Sequence, residues 1–340
     1  MQTFIDLPPA IAAAAEHILS RGDIRALQKN SRTLHERYMD QDKGGVRSYI
    51  QGPGDALAYL GLRFPATYAQ IAGALLQIQD RVPDWRPRSV LDIGCGPGTG
   101  IWAATSVWPD MTAAVGVDQD THLLSLAEEI GSDAHISTKI TWVQQTVARW
   151  TATVDTNTYD LIIVANVLNE LPKGIKDDFF AALQQHSSGI VLLLEPGTPR
   201  GYAIIRSAAE KIVLKAPLIA PYIHNTFVPS EAYWIHFPQL FTRPDFLRKI
   251  RQSMRESSDM ASDWEETKYS YVACGSVPMT TTYWGQAIGS VQKYRGYLTL
   301  PVLTADGVHT ARVMKRHKVE YAAAKRIRWG ELIETSMEVS

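Results

Sequence analysis

Eleven residues constrain this chain more than any others: Val90-Leu91-Asp92-Ile93-Gly94-Cys95-Gly96-Pro97-Gly98-Thr99-Gly100. The short apolar run from Ser89 to Ile93 reads as a buried strand. The glycines that follow permit a tight turn, and Ile101 to Val107 continues as a helix. Strand, glycine turn and helix N-terminus form a corner where backbone can approach a ligand closely, because no Cβ stands in the way.

The spacing of the glycines selects among nucleotide ligands. The dinucleotide fingerprint requires G-x-G-x-x-G. Gly94 and Gly96 fit it, but Thr99 holds the third place, and the glycines fall instead at 94, 96, 98 and 100. An acid, Asp92, stands two residues before the first glycine. A further apolar run, Ala113 to Val117, ends at Asp118, which lies 24 residues after Gly94. That is close to the distance expected of the ribose-binding acid in a βαβ unit, where a carboxylate accepts from both ribose hydroxyls. The D-x-G-x-G-x-G arrangement resembles the first motif of the class I S-adenosylmethionine-dependent methyltransferases. The resemblance implies S-adenosylmethionine as cofactor, its methionine part passing the turn formed by Gly94, Gly96 and Gly98.

Length and charge set the frame. A chain of 340 residues can bury a large core and suits one large domain or two smaller ones. With 34 Lys and Arg against 35 Asp and Glu, no global field draws nucleic acid or an anionic membrane. The two cysteines, Cys95 and Cys274, make neither a disulfide framework nor a metal tetrad. No apolar run approaches the roughly 20 residues that span a bilayer, and no basic-then-apolar leader opens the chain. A soluble, cytoplasmic protein with no membrane partner is the expectation.

Residues 1–86 read as helical. Pro8 and Pro9 precede Ala10 to Leu19, and Asp23 suits the N-cap of Ile24 to Met39. Asp40 to Gly54 reads as a loop, Asp55 to Gly61 as a helical turn, and Ala69 to Val82 as a helix. Residues 87–200 then alternate strand and helix. Strands are expected at 89–93, 113–117, 139–143, 159–165 and 189–194, with helices near 99–107, 121–130 and 175–186. That alternation implies an α/β fold, a doubly wound, mostly parallel Rossmann-like sheet.

In such a sheet the ligand lies at the carboxyl ends of the strands. The residues there are Asp92, Asp118, Gln144, Asn166 and Glu195. Gln144 stands where many proteins of this fold carry an acid for the adenine amine, and its carbonyl oxygen can accept from that amine; an ordinary surface Gln is the alternative. Asn166 follows the clearest buried strand, Tyr159 to Ala165, but the Asn-Pro-Pro-aromatic signature of base-amine methyltransferases is absent. Asn169 and Glu170 either meet the substrate or cap the next helix.

Over nearly its whole length the chain resembles the methyltransferase-like proteins of the mitochondrial small ribosomal subunit and their bacterial relatives. The motifs are Arg63-Phe64-Pro65-Ala66-Thr67-Tyr68, the glycine turn, Val167-Leu168-Asn169-Glu170-Leu171-Pro172 and Leu194-Glu195-Pro196-Gly197-Thr198-Pro199. Lys268-Tyr269-Ser270-Tyr271-Val272 and Arg328-Trp329-Gly330 follow. The resemblance implies a class I methyltransferase fold, association with the small ribosomal subunit, and rRNA methylation. In one respect the chain departs from it. The family carries four cysteines for an iron–sulfur cluster; the matching places here hold Tyr222, Val228, Ile235 and Leu303. None can supply a thiolate, so no iron–sulfur cluster and no metal is expected, and the space reads as refilled by core. His224 and His236 alone make a poor metal site.

Residues 201–340 are expected to form a C-terminal α+β appendage. Tyr202 to Leu214 reads as a helix, Tyr269 to Ala273, Tyr297 to Leu300 and Val308 to Met314 as strands, and Asp306-Gly307 as a tight turn. Lys315 to Arg328 is basic with Tyr321 interleaved, and either faces RNA phosphates or is the solvated side of a terminal helix. If the methyl acceptor is a protonated amine, a base must take the proton, and Glu170 or His224 suits that role. Three readings stay open: a methyltransferase on small-subunit rRNA, one redirected to a small molecule or peptide, and a non-catalytic assembly factor that keeps the cofactor site.

Overall fold

The N-terminal layer forms for local reasons. In the computed structural model, which describes residues 4–41, 50–152, 157–171, 176–212, 216–222, 233–253, 262–279 and 283–339, α1 (Pro9–Ser20) opens with proline in its first turn. It buries Ile11, Ala14, Ala15, Ile18 and Leu19, a stripe at helical spacing. α2 (Ile24–Gln41) starts at Asp23, whose carboxylate accepts from the Arg25 N–H at 3.0 Å. α3 (Pro53–Leu62) and α4 (Phe64–Arg81) follow. The loop expected from Asp40 to Gly54 is therefore shorter at both ends; residues 42–49 lie outside the described residues. Arg63 to Tyr68 belongs to α4 rather than leading into it, because Pro65 sits in the first turn, where a missing N–H costs nothing.

The central sheet is built as the alternation predicts. β1 (Ser89–Ile93), α5 (Thr99–Val107), β2 (Ala113–Asp118), α6 (Thr121–Asp133) and β3 (Lys139–Gln144) form its first half. A short α7 (Val147–Thr151), β4 (Tyr159–Ala165), α8 (Lys176–Gln185), β5 (Ser187–Pro196) and α9 (Pro199–Ile212) form the second. The order is β3-β2-β1-β4-β5, all parallel. Leu161 to Val164 are fully buried, as parallel strands covered on both faces should be. The strand order reverses between β1 and β4, which makes their carboxyl ends the ligand crevice.

Three strands that fall in the expected appendage in fact extend this sheet. β6 (Leu218–Ala220), β7 (Phe237–Thr242) and β8 (Trp264–Gly275) join it, with α10 (Asp245–Ser253) between the last two. β8 lies antiparallel beside β5 and pairs with β6 and β7 on its other side. It is longer than the expected Tyr269–Ala273 because its first six residues, Trp264 to Tyr269, pair with β7.

A second, five-stranded sheet holds the C-terminus. It comprises β9 (Gly285–Ala287), β10 (Gln292–Tyr294), β11 (Tyr297–Thr304), β12 (Gly307–Met314) and β13 (Leu332–Ile333), with α11 (Lys318–Ala324) before β13. Thr304 pairs with Gly307 across the expected Asp306-Gly307 turn region. A buried polar network ties this sheet to the core. The Arg81 guanidinium donates to the carbonyls of Gln77 (2.8 Å) and Pro221 (3.2 Å) and to Gln286 Oε1 (3.0 Å). Gln286 Nε2 donates to Gln77 Oε1 (2.7 Å) and the Gly330 carbonyl (2.8 Å), and Tyr271 donates to the same Gln77 oxygen (2.8 Å). Among the described residues, no helix is long and apolar enough to cross a membrane.

Candidate functional site

The glycine turn is held from below. Gly94 N–H and Cys95 N–H both donate to the Val117 carbonyl, at 2.7 and 3.1 Å, which pins the end of β1 to β2. Gly94, Gly96 and Gly98 all have positive φ. At Gly94 the requirement is double: φ is +71°, and a Cβ would lie 2.3 Å from Val167 Cγ2. At Gly96, which is buried, a Cβ would clash with nothing and would only touch Tyr59 Cε1, at 3.8 Å. One face of the turn thus packs tightly on Val167, and the other is bounded loosely by Tyr59. Cys95 is buried beneath it, and burial holds its thiol well above its ordinary pKa, so it serves as a small core residue.

The two acids do different things. Asp92 is 2% exposed and accepts from the Gly100 N–H at 3.0 Å, so it anchors the first turn of α5. Burial pushes its pKa up to about 7 against the lowering effect of that N–H, and the charge of Asp118 adds to the rise. Asp118, at the end of β2, accepts from Gly96 N–H (2.8 Å) through Oδ2 and from Asp120 N–H (2.9 Å) through Oδ1. Gln144 is its register partner at the end of β3, exposed, with Nε2 3.5 Å from the Gln119 carbonyl.

Across the crevice, β4 ends in a strained residue. Asn166 has φ +59°, and its N–H donates to the Leu194 carbonyl at 2.8 Å. The turn that follows is built on Glu195, a wholly buried carboxyl whose Oε1 accepts from Leu168 N–H (2.8 Å) and Asn169 N–H (3.3 Å). Burial pushes Glu195 up to about 8; the two N–H groups lower it and Glu170 raises it. Three buried oxygens here, Asn166 Oδ1, Asn169 Oδ1 and Glu195 Oε2, have no hydrogen-bond partner among the described residues. Glu170 is exposed at one side and crowded at the other; desolvation, then the charge of Asp118, pushes it up to about 7.

Tyr59, on α3, completes the enclosure and is not evident from the sequence. Burial pushes its hydroxyl up to about 12, and it lies within electrostatic reach of Arg63, Asp118 and Glu170. The N-terminal helical layer therefore roofs the glycine turn. Two surface depressions, at Gln79–Trp108 and between α8 and α9, hold none of these acids, asparagines or Tyr59, although the second is lined by Leu168 of the Glu195-held turn. His224 and Val228 fall outside the described residues. Tyr222, Ile235 and Leu303 are all buried within the main apolar core.

The residues from Pro53 in α3 to Glu334 after β13, which include this whole crevice, match the family described as mitochondrial small ribosomal subunit Rsm22. The chain belongs to the Rsm22 family. A human relative, "Ribosome assembly protein METTL17, mitochondrial", is 24% identical over 295 residues, covering 84% of this chain and 63% of that protein. The Schizosaccharomyces pombe "Rsm22-cox11 tandem protein 2, mitochondrial" is 24% identical over 327 residues, covering 81% and 42%. The chain thus spans less than two thirds of the length of these relatives. A solved S-adenosylmethionine-dependent methyltransferase from Agrobacterium tumefaciens overlaps 61% of this chain and 62% of its own, with TM-score 0.40 and 11% identity. The fold of this chain is a doubly wound, mostly parallel Rossmann-like sheet with the order β3-β2-β1-β4-β5-β8. The expectation of a cytoplasmic location is overturned: the Rsm22 family and both relatives are named for mitochondria.

Proposed function

We propose that this Rsm22-family chain binds S-adenosylmethionine in the crevice between β1 and β4 and transfers its methyl group to RNA of the small ribosomal subunit. The supporting observation is the convergence there of the loosely packed Gly96, the Asp118 carboxylate and the unpartnered Asn166 oxygen. The residues fit the cofactor. Three carboxyls that burial pushes upward, Asp92, Asp118 and Glu170, favour a cationic guest, and S-adenosylmethionine carries a sulfonium and an ammonium.

The residue roles follow from position. Asp118 would hold the ribose hydroxyls and Gln144 the adenine edge, while the turn formed by Gly94, Gly96 and Gly98 would let the methionine part pass closest at Gly96. When bound, the cofactor supplies a methyl group already activated on sulfur. The chain's own task is to align the acceptor and exclude water. Asn166 and Asn169 offer acceptor oxygens at the end of β4, suited to orienting N–H groups. Glu170, with a pKa near neutrality, is suited to taking a proton from an acceptor nitrogen.

A calorimetric titration with S-adenosylmethionine tests the first step. The native chain should bind it and Asp118→Ala should bind at least tenfold more weakly; no binding by the native chain refutes the reading. Labelled methyl transfer to small subunits tests the second. Binding without transfer favours the alternative of an assembly factor, a reading supported by the printed name of the human relative and by Tyr59 lying over the turn.

A further inference from the structure

We propose that the tip of the β10–β11 hairpin is a docking site for single-stranded RNA, built on a stack of Tyr294, Tyr297 and Arg312 beside a cluster of basic residues. The inference deepens the RNA reading by naming where the strand lies, and takes from it only the choice of RNA over DNA.

Charge is the first observation. Residues 293–328 hold nine Lys and Arg against two acids, Asp306 and Glu320, which is +7. The whole chain is −1, so the remainder is −8. The near-neutral total conceals a strongly divided molecule. All nine cations are exposed. A local field of this kind attracts a polyanion to the C-terminal sheet and away from the rest of the surface.

The stack is the second, independent observation. Tyr294 and Tyr297 face each other across the β10–β11 hairpin, with ring centroids 4.9 Å apart and planes 15° from parallel. The Arg312 guanidinium lies 4.0 Å from the Tyr297 ring centre on the next strand. Three planar groups therefore run as a column across β10, β11 and β12. Its outer member, Tyr294, is 48% exposed on an edge strand. A base stacks well on such a face, in a manner tolerant of sequence.

Backbone geometry joins the two. Lys315 N–H donates to the Gly296 carbonyl at 2.8 Å, at the tip of the hairpin that carries both tyrosines. The start of the Lys315-Arg316 run is thereby held at the hairpin tip beside Arg295, while α11 packs through Ala324 on the opposite face, against Leu298 and Val313. A membrane or an acidic protein would use the charges and leave the stack idle. A duplex hides its base faces. A single strand uses both, phosphates on the cations and bases on the rings.

The test uses the full chain without cofactor. Anisotropy of a labelled single-stranded adenosine oligonucleotide is followed in rising salt, with inorganic polyphosphate as a base-free competitor. The native chain should bind the RNA and polyphosphate should compete poorly. Tyr294→Ala should weaken binding on the order of tenfold, and Tyr294→Trp should restore it. Lys315→Ala combined with Arg316→Ala should reduce the log–log salt slope by about 1.4. Equal competition by polyphosphate, tighter binding of the matching DNA strand, or undiminished binding by a folded Tyr294→Ala chain would overturn the proposal. Cofactor titration of the same preparation separates the two readings. RNA binding lost with cofactor binding intact sinks the docking site alone, and the reverse sinks the methyl site alone.

Discussion

Replacing Glu195 by Gln should stabilise this protein in mild alkali and leave it unchanged in mild acid. The carboxyl is wholly buried, and its pKa rises from 4.5 to about 8 on folding. The folded state therefore holds the proton more tightly than the unfolded chain. The stability linked to this group is fully present below the unfolded value and declines as pH climbs to about 8. A rise of about 3.5 units at about 1.4 kcal/mol each caps the effect near 5 kcal/mol. Relaxation around the ionised form reduces this, so about 2 kcal/mol is expected between pH 5 and pH 8. Glutamine keeps an oxygen for the Leu168 and Asn169 N–H groups and has nothing to ionise. Urea unfolding of both chains at one-unit pH steps checks this. Asp92 and Glu170, each pushed up to about 7, leave the variant a slope that ends near that pH, whereas the native chain keeps falling towards 8. A difference between the two chains that does not change with pH would refute the reasoning.

Other expectations follow from the same geometry. Gly94→Ala should cost more stability than Gly96→Ala by about 1–3 kcal/mol, since only the first drives a Cβ into Val167; thermal melts of the two check it. If methyl transfer is found, kcat/KM should rise with pH through about 7 as Glu170 ionises, and Glu170→Gln should lose that limb. Gln286→Leu leaves an Arg81 guanidinium without one acceptor and should destabilise by about 1–3 kcal/mol, read by denaturant titration.

The parallel half of the fold was legible because its signals are local. Each of β1 to β5 is an apolar run bounded by turn residues, and the glycine turn announces the ligand corner. β6 and β7 escaped notice because three residues, or six with Pro238 among them, carry little periodicity. β8 was visible only where it is buried on both faces; its first half is defined by a partner strand. Asp92 and Asp118 could be named from spacing, but not their division into an anchor for α5 and a carboxylate that holds Gly96 and Asp120. Tyr59 had no signal at all, since its meaning comes from Gly96, Asp118 and Glu170, all distant in sequence. Glu195 stood out as a strand end that would face the crevice, whereas it turns inward to build the Leu168–Asn169 turn.

The Gln77–Arg81–Gln286 network bears on how such a chain can be cut or recombined. A positive charge sealed inside the protein is held by three oxygens from three stretches of chain: α4, the Pro221 segment and β9. Deleting the C-terminal sheet removes Gln286 and Gly330, and strips the guanidinium of a partner that solvent cannot replace without opening the core. The C-terminal sheet is therefore not a portable module. A graft of it onto another protein of this fold would fail unless Gln77 and Arg81 travelled with it, and inheritance of the two halves is tied by one buried cation.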